Sequence, residues 1–391
     1  MAKCIGQRSL LYTRYNFMSK RIALYTLQTF SSTGGIQKMT RTLAHSLTQL
    51  SEDNGWDFKL WSVYDSDHDL MPQYLPAKNF KGFGVNRIVF VLRTLIAAPD
   101  IVLISHVNLA VIGLLLKFFN PKCKVWLIAH GIEVWRPLPP YKKLFLKRCE
   151  KVICVSNYTK QQMVNKHHLD PQKCIVLNNA VDTFMKLPTS FNKPAHLLKR
   201  YGLTTQNQII FTLTRLAVTE QYKGHDQVIK VISQLKSNFP GIKYILSGKY
   251  DHKEEIRIRK LIADYDVSEQ VILTGFIEER ELSDHFLLAD LFVLPSKKEG
   301  FGIVFIEALA NGLPVICGNS DGSVDAIRDG ELGKAIKVDN LDELEDAIKE
   351  YLSTPLTDEK RKYLKERCMF HFNETEYKNK LANLINDGER N

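Results

Sequence analysis

Short apolar runs alternate with longer stretches of helical periodicity along most of the chain, starting at Arg21. This rhythm is typical of parallel β-sheets whose strands are connected by crossover helices. It is interrupted at 182–199, where turn-forming residues replace the periodic pattern. At 391 residues the chain also exceeds what one hydrophobic core usually organises. We therefore expect an α/β protein of two doubly wound domains, with a ligand cleft between the carboxyl ends of their strands.

The predicted strands of the first series lie at 22–27, 58–63, 101–104, 125–129, 152–155 and 174–177, with helices that include 36–50 and 107–119. Those of the second series lie at 208–213, 243–247, 271–274, 291–294, 314–317 and 335–338. The resulting boundaries are an N-terminal extension at 1–17, a first domain at 18–190, a second domain at 191–372 and a last helix at 373–391. We expect the last helix to cross back to the first domain.

The composition is that of a folded protein, with 45% hydrophobic and 25% charged residues. The seven cysteines are widely spaced and form no C-x-x-C pair, which favours reduced thiols in a cytosolic protein. No apolar run typical of a signal peptide precedes Arg21, so we expect a cytoplasmic location. The apolar stretch 107–119 is too short for a membrane span and contains Lys117, which favours a buried helix.

Charge divides the chain into two unlike halves. Residues 1–200 hold 28 Lys and Arg against 11 Asp and Glu, whereas residues 201–391 hold 25 against 32. A basic first half attracts nucleic acid, anionic lipid headgroups or phosphorylated substrates. Charge alone leaves these three classes of partner open.

The segment 291–312 carries the clearest functional pattern. An unbroken apolar strand ends at Pro295-Ser296, and a turn that contains Gly300, Phe301 and Gly302 leads into a helix from Ile303. The glycines allow close approach of a ligand, and the helix N-terminus offers free N–H groups to an anion. Glu299 and Glu307 bracket this turn. One carboxylate is suited to sugar hydroxyls and the other to ribose hydroxyls, with a diphosphate between them.

Alone, this segment is compatible with any phosphate site or with a tight connection. Two other places support the ligand interpretation. Gly34 and Gly35 follow the first strand, where their amides can close over phosphates from the opposite domain. Arg215 and Lys223 follow the first strand of the second series, and two cations at a strand end suit a diphosphate better than a solvated surface.

Several polar residues end strands of the first series. His130 directly follows the strand at 125–129, so we expect it to project into the cleft rather than into a core. Glu133 and Trp135 come next and are acceptor candidates, although packing explains Trp135 equally well. His106 and Asn108, after the strand at 101–104, are weaker acceptor candidates.

Metal and membrane sites have weaker signals. The closest approach to a metal-ligand set is Asp65, Asp67 and Asp69, for which a solvated turn is the commoner meaning, so we expect no metal. The basic and aromatic segment 135–148 has two interpretations that stay open. It either lies on an anionic bilayer or packs its apolar residues at 144–146 inward.

Taken together, these segments resemble the retaining GT-B glycosyltransferases of family 4. The resemblance rests on Pro-Ser-x-x-Glu-Gly-Phe-Gly with Glu299 and Glu307, and on the segments at 34–38, 130–133, 152–158, 178–182, 215–224 and 274–276. It implies two Rossmann-like domains and transfer of a hexosyl group from a UDP- or GDP-sugar to a sugar or lipid-linked acceptor, with no metal and no cofactor beyond the donor.

The resemblance also implies roles for single residues. Arg215 and Lys223 would hold the diphosphate, Glu299 the sugar and Glu307 the ribose, while His130 would border the reacting sugar. The segment Gly275, Phe276 and Ile277 would contact the base. A GT-B phosphorylase or nucleotide-sugar epimerase would share the same cleft, and a basic nucleic-acid-binding protein is the non-enzyme alternative. The last lacks basic residues interleaved with stacking aromatics, so we expect no nucleic acid partner.

Overall fold

The computed structural model describes residues 19–354 and 356–387. The expected extension at 1–17 and the residues after 387 lie outside this described part. Each half of the described chain folds around its own parallel sheet.

The first half comprises β1 (Arg21–Thr26), α1 (Gly35–Asn54), β2 (Asp57–Ser62), β3 (Phe80–Gly82), α2 (Arg87–Ala97), β4 (Ile101–Ile104), α3 (Ala110–Phe119), β5 (Lys124–Ala129), α4 (Ile132–Trp135), α5 (Pro140–Arg148), β6 (Lys151–Cys154), α6 (Asn157–His167) and β7 (Cys174–Val176).

The second half comprises α7 (Ala195–Tyr201), β8 (Gln208–Leu213), α8 (His225–Leu235), β9 (Ile242–Ser247), α9 (His252–Asp264), β10 (Val271–Gly275), α10 (Leu282–Leu288), β11 (Leu291–Leu294), α11 (Ile303–Ala310), β12 (Val315–Gly318), α12 (Ser323–Ala326), β13 (Lys334–Ile336), α13 (Leu341–Ser353), α14 (Asp358–Phe372) and α15 (Glu374–Asn386).

Both sheets are parallel and doubly wound. Their strand orders are β3-β2-β1-β4-β5-β6-β7 and β10-β9-β8-β11-β12-β13. In each sheet the order reverses beside the first strand of that half, and the carboxyl ends at such a reversal form a crevice. The crevices of the two sheets lie at β1/β4 and at β8/β11, which is where the loops of interest begin.

The twelve strands predicted from apolar runs are present, each within two residues at either end. The short strand β3 was missed because three residues give no periodicity. The predicted linker at 182–199 is wrong at its end, since α7 begins at Ala195. Pro194 precedes this helix and Leu197 is fully buried. Two turns of helix with a single fully buried residue are indistinguishable from a loop by pattern alone.

The last two helices pack on different domains. On α14, Cys368 and Phe372 join the core of the second domain. On α15, Leu381 and Ile385 join the core of the first domain, where they pack with Leu24 of β1. The chain therefore crosses between the domains a second time, at Asn373.

Two further properties bear on the sequence expectations. Within 19–354 and 356–387, none of the helices has both the length and the apolar character required to cross a bilayer. The cysteines from Cys123 to Cys368 are all buried and free.

Gly113 sets how closely α3 approaches α5. A β carbon at Gly113 would lie 2.2 Å from Cε2 of the buried Phe145 ring. We expect Gly113→Ala to lower the free energy of unfolding by about 1–3 kcal/mol in urea, since the helices must separate or the ring must leave its rotamer. Gly241→Ala is the control, because a β carbon there meets nothing nearer than 3.7 Å. Equal stability of the two variants would contradict this account of the packing.

Candidate active site

A buried carboxylate shapes the loop between β1 and α1. Asp65, just after β2, is fully buried, and Oδ2 accepts a hydrogen bond from the Thr29 amide at 2.7 Å. Oδ1 accepts from the Ser31 amide at 2.9 Å. Because β1 and β2 are neighbours, the carboxyl end of β2 lies directly beside this loop. The carboxylate thus fixes the loop that leads to Gly34.

Asp67 and Asp69, the other two carboxylates of the predicted acidic set, do not point toward the Asp65 carboxylate. Asp67 accepts from the amide of Gly82 at 2.9 Å and pairs with Lys81, while Asp69 accepts from the amide of Ser66 at 2.7 Å. The three carboxylates therefore do not converge. In the part of the chain that the structure describes, no cluster of three or more His, Cys, Asp or Glu side chains suits a metal ion.

Arg41 of α1 connects the same loop to the second domain. Its side chain is 1% exposed, and its guanidinium donates to the carbonyls of Thr29 at 3.0 Å and Ser32 at 2.9 Å. The remaining guanidinium nitrogen, Nη1, pairs with Glu279, between β10 and α10, at 3.0 Å. One buried cation thus orders the loop and joins the domains.

The turn between β11 and α11 has the geometry that its glycines predicted. Gly302 adopts a left-handed conformation, with φ of 77°, and is the residue before the first helical residue, Ile303. No side chain caps α11, which leaves its first amides without a side-chain partner. The Phe301 ring is buried against Phe372, and only its backbone is available to a ligand.

The domains touch through backbone atoms at this turn. A β carbon at Gly300 would lie 1.7 Å from the carbonyl oxygen of His130, and one at Gly131 would lie 2.7 Å from the Gly300 α carbon. Gly131 also has a positive φ, 141°, which favours glycine. Glycine is therefore required on both sides of the contact.

Each of the two predicted carboxylates is paired with a lysine. Lys223 lies 2.5 Å from Glu299, and both are largely buried. Burial lowers the pKa of Lys223, but attraction to Glu299 and their hydrogen bond outweigh it, so the pKa is raised and the lysine stays charged. Lys38 of α1 lies 2.5 Å from Glu307 of α11. Burial raises the pKa of Glu307, although Lys38 opposes that shift.

The predicted glycine loop faces the donor segment. Gly34 is the residue before α1. A β carbon at Gly35 would lie 3.8 Å from the Ile303 side chain, which is ordinary contact distance. The start of α1 and the start of α11 therefore meet across the domain boundary, and Lys38 reaches Glu307 one turn further along.

His130 is placed at the boundary, but its ring does not stand free in the cleft. The side chain is buried, and Nε2 lies 2.8 Å from the carbonyl oxygen of Ser105, within its own domain. Burial lowers its pKa to about 4, with His106 contributing, so the ring is neutral at pH 7. The expected projection into the cleft is wrong for the ring, because the ring is held by the carbonyl of Ser105, the residue that follows the neighbouring strand β4. Its backbone is what meets Gly300.

The acceptor candidates are held within the first domain. Glu133 Oε1 accepts from the His130 amide at 2.6 Å, and burial raises the pKa of Glu133 to about 7. Burial lowers the pKa of His106 to about 4, with Lys142 and Arg136 contributing. Trp135 is buried edge-on against Tyr158. Packing explains Trp135 in this structure.

The segment 135–148 contains the last residue of α4 and all of α5, and its apolar residues divide between buried and exposed positions. Phe145 and Leu146 are buried, as the packing interpretation expected, but Leu144 is half exposed. Lys142 is buried and donates to Asn108. Thus the segment is neither a wholly packed helix nor a free amphipathic one.

Other predicted residues lie at the rim of the second domain. Arg215 is two-thirds exposed and pairs with Glu220 at 3.0 Å, so it does not join Lys223 and Glu299 directly. Gly275 has φ of 72°, which turns the chain after β10. Phe276 is exposed beside it, whereas Ile277 belongs to the core.

Sequence reasoning missed the residues that complete the site: Lys38, Arg41, Glu279 and Asp321. Lys38 and Arg41 lie on a helix, where charged residues usually face water. The one feature of the sequence that could have indicated them is their position, because both fall within two helical turns of Gly34-Gly35. Asp321 was hidden in a polar loop, yet it is buried and accepts from the Glu299 amide at 2.6 Å. That hydrogen bond positions the backbone of Glu299.

Two family models match the chain, one in each half. The model for glycosyl transferases group 1 matches residues 197–368, and the model for glycosyltransferase family 4 matches residues 33–183. Together they cover most of the chain, including both sides of the cleft.

Among curated relatives, a GDP-mannose-dependent α-(1-6)-phosphatidylinositol monomannoside mannosyltransferase of Mycolicibacterium smegmatis is 28% identical over 58% of this chain and 60% of its own. Its Mycobacterium tuberculosis counterpart is 31% identical over 57% and 59%. The chain thus spans about three-fifths of these relatives. Among solved structures, HepE of Anabaena with UDP has a TM-score of 0.76 at 17% identity, covering 94% of this chain and all of that one. The likeness to HepE establishes the GT-B fold.

Gly300 offers a test of the domain contact. We expect Gly300→Ala to force the domains apart, since its β carbon cannot share space with the His130 carbonyl, 1.7 Å away. Small-angle X-ray scattering should then show a larger radius of gyration. Gly35→Ala is the control at the same boundary, because its β carbon has ordinary contacts. An unchanged radius for Gly300→Ala would mean that the loops do not set the closure.

Asp321 offers a test by pH. Burial, with the charge of Glu299 adding to it, raises the pKa of Asp321 from 3.8 to about 7. The folded protein then keeps a proton that the unfolded chain releases, so this contribution to stability is complete below pH 3.8 and is lost as pH rises to about 7.

We expect wild-type stability to fall relative to Asp321→Asn between these values, and the difference to be constant at higher pH. Urea unfolding across this range measures it, with the exposed Asp264→Asn as control. Parallel stability curves for wild type and Asp321→Asn would contradict the assignment.

Proposed function

Because the chain belongs to the group 1 and family 4 type of glycosyltransferases, we propose that it transfers a hexosyl group from a UDP- or GDP-sugar to an acceptor hydroxyl. The observation that carries the proposal is the meeting of α1 and α11 across the cleft. It sets the uncapped N-terminus of α11 between two carboxylates, Glu299 and Glu307, each beside a lysine.

This arrangement suits a nucleotide sugar. The diphosphate would lie on the first amides of α11, with the amides of Gly34 and Gly35 on its other side. Glu307 would accept from the ribose hydroxyls and Glu299 from the sugar hydroxyls. Gly275 and Phe276 would contact the base. The mycobacterial relatives are named for GDP-mannose and HepE was solved with UDP, which supports both nucleotides as candidates.

The proposed reaction keeps the anomeric configuration. The bond from the anomeric carbon to the phosphate oxygen breaks, and the acceptor oxygen forms its bond on the same face. The acceptor proton passes to the departing phosphate oxygen. Lys223 would neutralise charge that develops on the nucleoside diphosphate, with Arg215 reaching it from the rim.

We propose that these cations serve in place of a metal ion and that the donor is the only co-substrate. Lys223 supports this most strongly, because the raised pKa of this buried amine keeps it charged beside the turn. His130, neutral at pH 7, would border the sugar. The acceptor, a sugar or a lipid-linked sugar, would approach from the first domain near Glu133, His106 and Asn108. We propose a cytoplasmic location.

The first test is a thermal-shift screen with UDP, GDP, ADP and their sugars. Ligands that bind only the folded protein raise its unfolding temperature, so we expect one nucleotide series to stand out. Incubation with that sugar and candidate acceptors, followed by NMR of the product, reports the anomeric configuration. Activity that depends on inorganic phosphate, or epimerised donor as product, would favour a phosphorylase or an epimerase. Activity measured with increasing chelator tests the metal independence, and we expect it to stay unchanged.

Glu307→Gln tests the ribose assignment. The change keeps the shape and removes the charge, so a charge-assisted hydrogen bond to the ribose is lost, and the nucleotide Kd should rise about tenfold. Glu350→Gln is the control, since Glu350 forms an exposed pair with Lys334 in the same domain. Calorimetry measures both, with thermal unfolding recorded separately because Lys38 loses its partner. An unchanged Kd for Glu307→Gln would remove Glu307 from the donor site.

A further inference from the structure

Helix α2 is apolar on both of its faces. Phe90 is buried inward, whereas Ile88, Leu92 and Ile96 are 75%, 56% and 79% exposed on the outer side. Their spacing of four residues places them in one row along the helix. An outer helix of a water-facing domain normally carries polar residues on that side. The row therefore marks a surface that something other than water covers.

The turn before α2 holds another apolar side chain in solvent. Val85 is 65% exposed and has φ of 69°, a conformation that β-branched residues rarely adopt. Hydrogen bonds fix it there, because its amide donates to the Val63 carbonyl at 2.9 Å and the Gly84 amide donates to the Asp65 carbonyl at 2.9 Å. A strained backbone that presents an exposed valine is a feature that packing within the domain does not explain.

The neighbouring helices extend the apolar surface. Helix α3 packs beside α2, and α5 packs beside α3. At the end of α3, Phe118 and Phe119 are 76% and 63% exposed, and Leu144 of α5 is half exposed. We call the outer side of α2, α3 and α5, with Val85, the α2 face.

All the charged residues of these three helices are basic. Helices α2, α3 and α5 contain no Asp or Glu. From 81 to 149 the chain has eleven Lys and Arg but only two acidic residues, Asp100 and Glu133. Glu133 is directed to the His130 amide and Asp100 pairs with Arg21. Lys117 of α3 pairs with Glu150, and Lys142 of α5 is buried, whereas Arg93, Lys143 and Lys147 are exposed. The α2 face thus combines exposed apolar groups with a net positive charge.

Only one class of partner fits both properties. A second copy would bring two basic surfaces together, which is unfavourable. Nucleic acid would complement the charge but leave the row of aliphatic side chains without a partner. An anionic bilayer complements both, since aliphatic and aromatic groups enter the headgroup boundary while Lys and Arg attract the phosphates.

We propose that the α2 face docks the protein on the surface of an anionic phospholipid bilayer. The proposal stands apart from the donor chemistry, because it rests on the outer surface of the first domain. Helix α2 starts near the carboxyl end of β3, so Val85 and Ile88 lie at the sheet edge that also bears the cleft. Docking would therefore hold the acceptor side of the cleft next to the membrane.

Vesicle flotation of the full chain tests this inference without any catalytic readout. The probes are vesicles of pure phosphatidylcholine and vesicles of equal parts phosphatidylcholine and phosphatidylglycerol. We expect binding to the anionic vesicles, weakened by salt. The triple variant I88S/L92S/I96S should bind at least tenfold less tightly, because it removes the apolar row. The double variant R93E/K147E should lose about tenfold or more, and most of its salt dependence.

The matched control is I256S/F370S, which removes two apolar side chains of the second domain that are 56% and 66% exposed. It should bind as wild type does. Thermal unfolding and nucleotide-induced shifts should stay unchanged in all three variants, which separates this inference from the proposed donor site. Wild-type-like flotation of I88S/L92S/I96S would overturn the proposal. A wild-type dimer that this triple variant converts to monomer would also overturn it, because the α2 face would then bind a second copy. So would a wild-type protein that binds DNA but neither kind of vesicle.

Discussion

The cleft depends on a contact in which the two domains meet backbone to backbone. Gly300 lies against the carbonyl of His130, and neither Gly300 nor Gly131 has room for a side chain. This close approach lets Lys38 of the first domain reach Glu307 of the second. With a larger residue at the turn, the pair would separate and each charge would lose its partner. Backbone proximity, more than any single side chain, thus assembles the site.

The sequence predicted the parts of the fold that depend on local pattern. Buried parallel strands read as apolar runs, and the strand, glycine turn and helix around Glu299 were recognisable because each part has its own local signal. Contacts between distant segments have no such signal. Lys38 and Arg41 lie on what reads as an ordinary helix face, and their acidic partners are more than 200 residues away. Only the packing of the domains reveals that these cations are buried.

The basic residues that make the first half positive lie in two main places in the structure. Part of the basic excess is neutralised across the cleft, where Lys38 and Arg41 meet Glu307 and Glu279. The rest includes the α2 face, whose helices carry no acidic residue. The charges paired across the cleft attract the two domains to each other, whereas those of the α2 face point outward. A net charge of +10 therefore says little until it is divided by location.

The two crossings between the domains have a mechanical meaning. The amide of Val181, on the first crossing, donates to the carbonyl of Phe372, at the start of the second, at 2.8 Å. The connections thus run side by side as one seam. Two connections joined in this way act as a hinge between the domains. They permit the domains to open and close about one axis but resist sliding and twisting of one domain against the other. Any motion that admits a ligand would then follow a single arc, and the same groups would meet again each time the halves close.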